Sequence, residues 1–378
     1  MSKEIRILIA AGGTGGHVFP AISIADALRD QSESVKIEFV GTRDKIEWIA
    51  VPNAGYPINN IWISGFHRRL TPKNILFPAK LLISIIQSYN IIRKFKPDMV
   101  VSCGGYVAGP IGWVAARKRI PLVLQEQNSF PGVTNRLLAK NAVAIFTAFK
   151  QADHYFPKGK TLLFGNPTRK SLFNINKENA YKYFGFKPDK STLVVMGGSG
   201  GARALNEAMI KEIDRLHDDL QLQIIWQCGT RYATEMRQRV DRSRYPNLRL
   251  LSFIDNMANV YAVSDLIISR AGAGSCAELM LMGKPSILIP SPHVAGDHQT
   301  KNAMAMVENG AAILIKDKEL NKRFYTEIAG LYNHKERLEE MSNAARKLAI
   351  PDAADKIAHK IIEIINPKST NNKVPVSA

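Results

Sequence analysis

The sequence is poor in cysteine and lacks several motifs that define common enzyme classes. Its 378 residues include only 3 cysteines, which lie far apart without C-x-x-C spacing, so we expect neither a disulfide framework nor a zinc site. No D-x-D occurs, so the sequence offers no aspartate clamp for a metal-bound diphosphate. We therefore expect no metal site and no cofactor.

Long apolar runs are also missing. The longest charge-free apolar stretch near a basic flank covers residues 81–92, well short of the roughly 20 residues that a membrane-spanning helix needs. The N-terminal apolar run at residues 5–10 ends in glycines rather than in a cleavage site, so it does not resemble a signal peptide. We expect a protein that is soluble or peripheral to a membrane.

Acidic side chains are scarce in one part of the chain. The sequence has 51 Lys and Arg against 33 Asp and Glu, a formal net charge of +18. Half of the excess lies in residues 61–120, where ten basic side chains face a single acid, Asp98. Such an excess favours an anionic partner, which can be nucleic acid, an anionic membrane or a phosphorylated substrate. No RRM, KH or helix-turn-helix pattern is present, so we expect no nucleic-acid partner.

Aliphatic residues are interleaved with this basic stretch. The candidate membrane-association residues are Arg68, Arg69, Lys73, Ile75, Leu76 and Phe77. An amphipathic segment with basic flanks can lie in the membrane interface, where each basic residue near an anionic leaflet contributes roughly 1 kcal/mol. Alternatively, the apolar residues form the buried face of an ordinary helix and the charges form its solvated edge. The sequence leaves both interpretations open.

Short apolar runs alternate with helical patterns in two successive series. Predicted strands of the first series cover residues 6–10, 36–40, 99–102, 122–124 and 143–147. Those of the second cover residues 192–196, 222–227, 249–252, 266–269 and 286–289. Helical patterns lie between them, including residues 20–30 and 75–95, and a last one covers residues 353–365. The two series predict an α/β protein with two Rossmann-like, doubly wound parallel sheets.

The first predicted strand runs directly into a glycine-rich turn, residues 12–17. Glycines at a strand-to-helix turn let backbone N–H groups approach a phosphate. Four glycines are more than tight packing requires, so we favour phosphate or sugar contact over a packing role. The dinucleotide fingerprint counted from Gly13 places Val18 where the third glycine belongs, which argues against a nicotinamide oxidoreductase. His17, at the end of this turn, is a candidate general base.

Three further small-residue loops follow predicted strands, at residues 102–106, 196–203 and 269–278. Doubly wound sheets bind ligands at the carboxyl ends of their strands, so a ligand between the two domains would meet loops from both. Glu278 is predicted in the first turns of a helix, where a carboxylate can accept hydrogen bonds from ribose hydroxyls. A helix-dipole carboxylate, contributing about 0.5 kcal/mol, is the alternative.

Eight motifs in order over about residues 5–360 resemble the MurG family of glycosyltransferases, within glycosyltransferase family 28. They are GGTGGHVFP at 12–20, CGGYVAGP at 103–110, EQN at 126–128, GNPTR at 165–169, GGSGGAR at 197–203, FIDNM at 253–257, RAGAGSCAE at 270–278 and DHQTKNA at 297–303. Each motif alone is modest, but their order makes the resemblance specific.

The resemblance implies a GT-B fold, with two Rossmann-like domains facing across a cleft. It implies an inverting, metal-independent transfer of N-acetylglucosamine (GlcNAc) from UDP-GlcNAc to the C4 hydroxyl of N-acetylmuramic acid (MurNAc) in undecaprenyl-diphosphate-MurNAc-pentapeptide, lipid I. The products would be lipid II and UDP, for peptidoglycan synthesis. A close alternative is a GT-B UDP-sugar transferase that uses another lipid acceptor, such as diacylglycerol.

The resemblance also implies domains, partners and a location. Residues 1–165 would bind lipid I and the membrane, residues 166–351 would bind UDP-GlcNAc, residues 352–366 would form a helix that packs back on the first domain, and residues 367–378 would form a frayed tail. Partners would be UDP-GlcNAc, lipid I and an anionic membrane surface, with other cell-wall synthesis proteins as candidates. The expected location is peripheral, on the cytoplasmic side of the inner membrane.

Site residues follow from the same resemblance. The implied donor contacts are Thr14, Gly15, Gly16, Asn128, Arg169, Ser199, Ile254, Glu278 and Gln299. Among these, Ile254 would meet uracil through its backbone, and Glu278 would meet the ribose. Ser199 and Arg169 would meet the donor diphosphate, and Gln299 would meet GlcNAc hydroxyls. The implied acceptor-diphosphate contacts are Gly13, Gly104, Gly105 and Tyr106. His17 would act as base or would position the acceptor.

One departure from the family pattern stands in the last motif. Some relatives carry two consecutive glutamines there, whereas Gln299 is followed by Thr300 in this sequence. A contact made by the second glutamine is therefore in doubt.

Overall fold

The chain folds into two compact units. A computed structural model describes residues 4–65, 75–169, 172–173, 176–198 and 200–367. The first unit comprises Met1–Arg169 and Ile350–Ala378, and the second comprises Lys170–Ala349. Four predicted site residues lie outside the described residues: Arg68, Arg69, Lys73 and Ser199.

The first unit contains a parallel sheet of seven strands. In chain order the strands are β1 (Ile5–Ala10), β2 (Val35–Gly41), β3 (Ile58–Asn60), β4 (Met99–Ser102), β5 (Leu122–Glu126), β6 (Ala144–Thr147) and β7 (Thr161–Leu163). Their order in the sheet is β3-β2-β1-β4-β5-β6-β7. The direction of winding reverses between β1 and β4, so the loops after these two strands meet at the switch point where doubly wound sheets bind ligands.

Helices cover both faces of this sheet. They are α1 (Gly15–Gln31), α2 (Glu47–Asn53), α3 (Phe77–Phe95), α4 (Ala108–Arg117) and α5 (Val133–Leu138). Residues of α1 and α2 join one buried apolar cluster, and residues of α3, α4 and α5 join the other. The sheet is therefore buried on both sides, as its continuous apolar strands require.

The second unit repeats the same plan with six parallel strands. They are β8 (Thr192–Met196), β9 (Gln223–Gln227), β10 (Leu248–Leu251), β11 (Leu266–Ser269), β12 (Ser286–Leu288) and β13 (Ala312–Leu314). Their order is β10-β9-β8-β11-β12-β13, with the switch point between β8 and β11. The two parallel α/β sheets confirm the predicted fold class.

Eight described helices of the second unit lie before, between and after its strands, and one last helix belongs to the first unit. They are α6 (Lys177–Phe184), α7 (Arg203–Asp218), α8 (Ala233–Arg239), α9 (Met257–Val263), α10 (Ala273–Leu281), α11 (His298–Val307), α12 (Leu320–Tyr332) and α13 (Lys335–Leu348). The last helix is α14 (Ala353–Ile365). Its Ile357, Ala358 and Ile361 are buried in the apolar cluster that contains α1.

Helix α3 buries two small polar side chains and exposes several aliphatic ones. Ser84 and Ser88 are fully buried, and their hydroxyls donate to the carbonyls of Leu81 and Ser84 at 2.7 and 2.6 Å. Leu82 and Ile86 point out of the protein, with 62% and 54% of their surface exposed. Ile92 and Phe95 of the same helix are buried in the apolar cluster shared with α4 and α5, so α3 has both a buried and an exposed apolar side, and both interpretations stay open.

None of the helices in the described part of the chain combines the length and the apolar character needed to cross a membrane.

Candidate functional site

Two glycine turns press against each other at the switch point of the first unit. The turn after β1 contains Gly12, and the turn after β4 contains Gly104 and Gly105. A Cβ atom at Gly105, which has a φ of +79°, would lie 2.2 Å from the carbonyl oxygen of Gly12. Only glycine fits this contact, so the two turns predicted to hold the acceptor form one surface.

His17 lies in the first turn of α1 and is fixed from two sides. Its Nδ1 is 3.3 Å from the Thr14 hydroxyl, a contact whose donor depends on the histidine tautomer. A Cβ atom at Gly104 would lie 2.9 Å from His17 Cδ2 and 3.2 Å from Nε2. The absence of a side chain at Gly104 thus makes room for the imidazole. The structure places the candidate base against both glycine turns.

Tyr106 covers the first glycine turn. A Cβ atom at Gly13, with a φ of +92°, would lie 3.2 Å from Tyr106 Cε1. Burial raises the pKa of Tyr106, and the nearby Lys45 opposes that effect. The phenol is therefore protonated at neutral pH and can donate a hydrogen bond to an anionic oxygen.

A buried carboxylate that the sequence did not reveal lies behind the same turn. Glu47, the first residue of α2, is fully buried. It accepts hydrogen bonds from the Gly13 N–H, from the Thr42 N–H at 3.2 Å and from the Thr42 hydroxyl at 2.8 Å. The predicted anion contact of Gly13 stays a prediction, but its N–H already donates to Glu47.

A second buried carboxylate holds the loop after β5. Glu126 accepts hydrogen bonds from the N–H of Asn128 at 3.0 Å, from the N–H of Gly132 at 3.1 Å and from Asn135 Nδ2 at 2.9 Å. Burial raises the pKa of Glu126, and these donors offset part of the rise. Asn128, a predicted donor contact, also gives its side-chain N–H to Glu126 at 3.2 Å. The available sequence indication was an acid at the end of an apolar strand.

Arg169 lies near the glycine turn after β1. Its guanidinium carbon is 5.0 Å from the centroid of the Phe19 ring. A Cβ atom at Gly15 would lie 2.9 Å from Phe19 Cε2, so this ring touches the turn itself. A cation over an aromatic face is a favourable contact, and it keeps a positive charge beside Gly15.

Glycines also shape the loop after β8 in the second unit. A Cβ atom at Gly201 would lie 2.2 Å from the carbonyl oxygen of Cys228, so the loops after β8 and β9 are in close contact. Gln227 Nε2 donates to the carbonyls of Gly198 at 2.8 Å and Ser252 at 3.1 Å. The last side chain of β9 thus joins the loops after β8 and β10 at the carboxyl edge of the sheet, where Ile254 is half-buried two residues after Ser252.

Glu278 and Arg270 frame the next loops of that edge. Glu278 is the sixth residue of α10, and its Oε2 accepts a 2.8 Å hydrogen bond from Tyr261. Arg270 pairs with Asp317 and donates to the carbonyls of residues 289 and 290 at 3.1 and 3.2 Å. Arg270 thus joins the segment after β11 to the segments after β12 and β13.

The segment with the departure from the family pattern begins α11. Gln299 Oε1 accepts a hydrogen bond from the N–H of Ser291 at 2.8 Å. Thr300, at the position of the second glutamine, donates its hydroxyl to Asp297 Oδ1 at 2.7 Å. Asp297 itself has a φ of +52°. Thr300 thus makes a local bond within this turn.

No group of three or more His, Cys, Asp or Glu side chains that could hold a metal ion occurs among the described residues. The expected absence of a metal site and of a cofactor remains a prediction.

Comparison with known proteins tests the resemblance that the eight motifs predict. Models of the glycosyltransferase family 28 N-terminal and C-terminal domains match residues 7–147 and 192–357. A Flavobacterium psychrophilum protein named UDP-N-acetylglucosamine–N-acetylmuramyl-(pentapeptide) pyrophosphoryl-undecaprenol N-acetylglucosamine transferase is 42% identical, covering 97% of this chain and 100% of its own. A Salinibacter ruber protein of the same name is 40% identical, covering 98% and 100%.

Solved structures also resemble this chain. The crystal structure of Acinetobacter baumannii MurG matches with a TM-score of 0.75 and 29% identity, covering 95% of this chain and 99% of that one. The S. aureus MnaA-UDP co-structure matches with a TM-score of 0.70 at 17% identity, covering 96% and 97%, and supports the fold alone. The resemblance predicted from the eight motifs is confirmed: the chain belongs to glycosyltransferase family 28.

Proposed function

We propose that this glycosyltransferase moves GlcNAc from UDP-GlcNAc to the C4 hydroxyl of MurNAc in lipid I, releasing lipid II and UDP. The observation that carries the proposal is 42% identity, over 97% of the chain, with a relative named for this transfer. The reaction would serve peptidoglycan synthesis.

His17 is the proposed general base on the acceptor side. A sugar hydroxyl is a weak nucleophile, so a base within about 3 Å of it is expected. His17 would take the C4 proton while the C4 oxygen attacks the anomeric carbon of GlcNAc. The bond from that carbon to the diphosphate oxygen breaks, and UDP leaves with the electron pair. A single displacement of this kind inverts the anomeric configuration. The contact with Thr14 supports the role because it orients the ring.

The acceptor diphosphate is proposed to lie on the paired glycine turns. The first N–H groups of α1, at Gly15 and Gly16, have no acceptor within the helix, and they carry the positive end of its dipole. Gly104 and Gly105 contribute the adjoining backbone, and the Tyr106 phenol adds a donor. This set suits a diphosphate because it supplies several N–H and O–H donors without a metal.

The donor is proposed to bind at the carboxyl edge of the second unit. Glu278 would accept from the ribose hydroxyls, the backbone of Ile254 would meet uracil, and Gln299 would meet GlcNAc hydroxyls. Ser199 would contact the diphosphate. The candidate donor contacts from the first unit are Thr14, Gly15, Gly16, Asn128 and Arg169. Fixed backbone donors and Arg169 can stabilise the charge that develops on UDP, so we propose a metal-independent reaction.

A peripheral position on the cytoplasmic side of the inner membrane is proposed for the protein. Ile75 and Leu76 are 79% and 54% exposed, and Phe77 beside them is half-buried. Near them, Lys80 Nζ lies 5.4 Å from the Trp62 ring centroid. Exposed aliphatic and aromatic groups next to cations are typical of surfaces that lie in the headgroup region of an anionic membrane.

The direct test measures UDP release from UDP-GlcNAc with a lipid I analogue, and in parallel with diacylglycerol. We expect release with the lipid I analogue and none with diacylglycerol. The reverse pattern would support the other lipid transferase. Release with neither acceptor, from a preparation that binds UDP, would overturn the proposed acceptor.

A further inference from the structure

Glu47 occupies a closed socket behind the glycine turn that carries His17. A Cβ atom at Gly12 would lie 2.7 Å from Glu47 Oε1, and one at Gly41 would lie 2.6 Å from Glu47 Cγ. Two glycines therefore make the space for this side chain. A fully buried carboxyl group needs hydrogen-bond donors, and among the described residues those of Glu47 come from Gly13 and Thr42.

The two carboxylate oxygens have different partners. Oε1 accepts from the Thr42 N–H at 3.2 Å and from the Thr42 hydroxyl at 2.8 Å, and lies 3.3 Å from the Gly13 nitrogen. Oε2 accepts from the Gly13 N–H at 3.1 Å. Thr42 thus orients the carboxylate, and the oriented carboxylate holds Gly13.

Gly13 connects this socket to the proposed chemistry. Its neighbour Thr14 contacts His17 Nδ1, and Gly15 begins α1. Gly13 also lies against the ring of Tyr106. A shift of the Gly13 N–H would therefore move the hydroxyl that orients the imidazole.

We propose that Glu47 is a positioning residue that fixes the turn at residues 12–16 through Gly13, and thereby sets the orientation of His17 towards the acceptor. This inference rests on the proposed function. Glu47 does not touch substrate and exchanges no proton with it. Its contribution is the placement of the turn, so its loss affects the acceptor step and spares nucleotide binding in the second unit.

Glu47→Gln distinguishes the contact of Glu47 with Thr42 from its contact with Gly13. If the amide oxygen keeps the Thr42 donors, the amide NH2 faces the Gly13 N–H, so two donors oppose each other. We expect kcat to fall about tenfold or more, because an opposed buried donor displaces the turn. The KM for UDP-GlcNAc and the affinity for UDP, measured by calorimetry, remain within about twofold.

Gly41→Ala provides an independent route to the same displacement. Its Cβ would lie 2.6 Å from Glu47 Cγ and 2.8 Å from Ile58 Cδ1, so it would push the Glu47 side chain and the end of the Ile58 side chain, and the residue has an ordinary φ. We expect the same pattern, reduced kcat with retained UDP affinity. Glu38→Gln is the matched control, since Glu38 is a half-buried acid of β2 that accepts from Asn59 at 2.7 Å, away from this turn. It leaves kcat unchanged.

The outcomes separate the two proposals. Wild-type protein without transfer to lipid I contradicts the proposed function. An active wild type with full kcat in both Glu47→Gln and Gly41→Ala overturns the positioning role. A parallel loss of kcat and UDP affinity in folded variants, judged by circular dichroism, also overturns it, because that pattern indicates general destabilisation.

Discussion

The phenol of Tyr261 donates a 2.8 Å hydrogen bond to Oε2 of Glu278, joining α9 to α10. Tyr261 is fully buried, so its hydroxyl needs a partner inside the protein. Glu278 is the sixth residue of α10, beyond the first turn in which a helix-dipole carboxylate is effective. This position argues against the helix-dipole alternative, and the contact of Glu278 with a ribose remains a proposal.

Replacement of Glu278 by alanine is expected to weaken donor binding. A charge-assisted hydrogen bond is worth about 1.5–3 kcal/mol, so the Kd for UDP rises about 10- to 100-fold, with a smaller effect on kcat. Tyr261→Phe keeps the carboxylate but removes its orienting donor, and we expect a rise below that of Glu278→Ala. Calorimetric titration with UDP measures both. Unchanged UDP affinity in Glu278→Ala would rule out the ribose role.

Replacement of His17 by alanine is expected to affect chemistry. Loss of a general base lowers kcat by about 10²- to 10⁴-fold, while the KM for UDP-GlcNAc changes little. Thr14→Val removes the hydroxyl beside Nδ1 and lowers kcat less, because the base remains. Steady-state kinetics with a lipid I analogue test both variants. If kcat survives in His17→Ala, another residue is the base.

Membrane binding is expected to depend on both charge and the exposed face of α3. Each neutralised basic residue among Arg68, Arg69 and Lys73 costs roughly 1 kcal/mol of binding to anionic vesicles. Leu82→Ser with Ile86→Ser removes apolar area that is more than half exposed, so the fold is retained while binding weakens. Vesicle sedimentation measures each variant, with neutral vesicles as control. Equal sedimentation of all variants would count against the membrane surface.

The stability of the second unit is expected to rise with pH on the alkaline side. Burial lowers the pKa of Lys284 from 10.5 to about 8, with Asp265 opposing the shift. Between these values the unfolded chain binds a proton that the native state has lost. The free energy of unfolding therefore increases by up to about 3 kcal/mol across this window. Below about pH 8 both states carry the proton, and this gain is absent.

Lys284→Met isolates that contribution. Urea unfolding at pH 7.5 and at pH 10 gives the change in the free energy of unfolding between the two pH values for each protein. The part of this change that is due to Lys284 disappears in the variant. An identical pH dependence in the wild type and the variant would show that the Lys284 ammonium is not desolvated.

The central strands were predictable from sequence because they are buried on both faces. Residues 99–102, 192–196 and 266–269 form strands with the predicted bounds. Strands β3, β7 and β13 were not predicted. Each has three residues, and half-buried side chains interrupt the apolar run that identifies a central strand. The start of α1 was also missed. It begins at Gly15 rather than at residue 20, so half of the predicted loop is the first helical turn.

The glycine turns of the candidate site were also predictable from the sequence, because a strand followed by several glycines and a helix is a local pattern. Glu47 was not, since its partner Gly13 lies 34 residues earlier and no spacing relates them. Glu126 lies in the EQN motif, but no role was predicted for it, because its donors come from the loop that follows it. The role of a single acidic residue can be inferred only when the folded structure shows its hydrogen-bond partners.

The outward aliphatic face of α3 has a consequence for the purified protein. Ser84 and Ser88 satisfy their hydroxyls within the helix, so the inward face is complete without the exposed leucine and isoleucine side chains. Within the described part of the chain those side chains are more than half exposed, and in dilute buffer the same patch on another molecule can cover them. The protein is therefore expected to self-associate with rising concentration, and to become monodisperse when mild detergent or lipid is added.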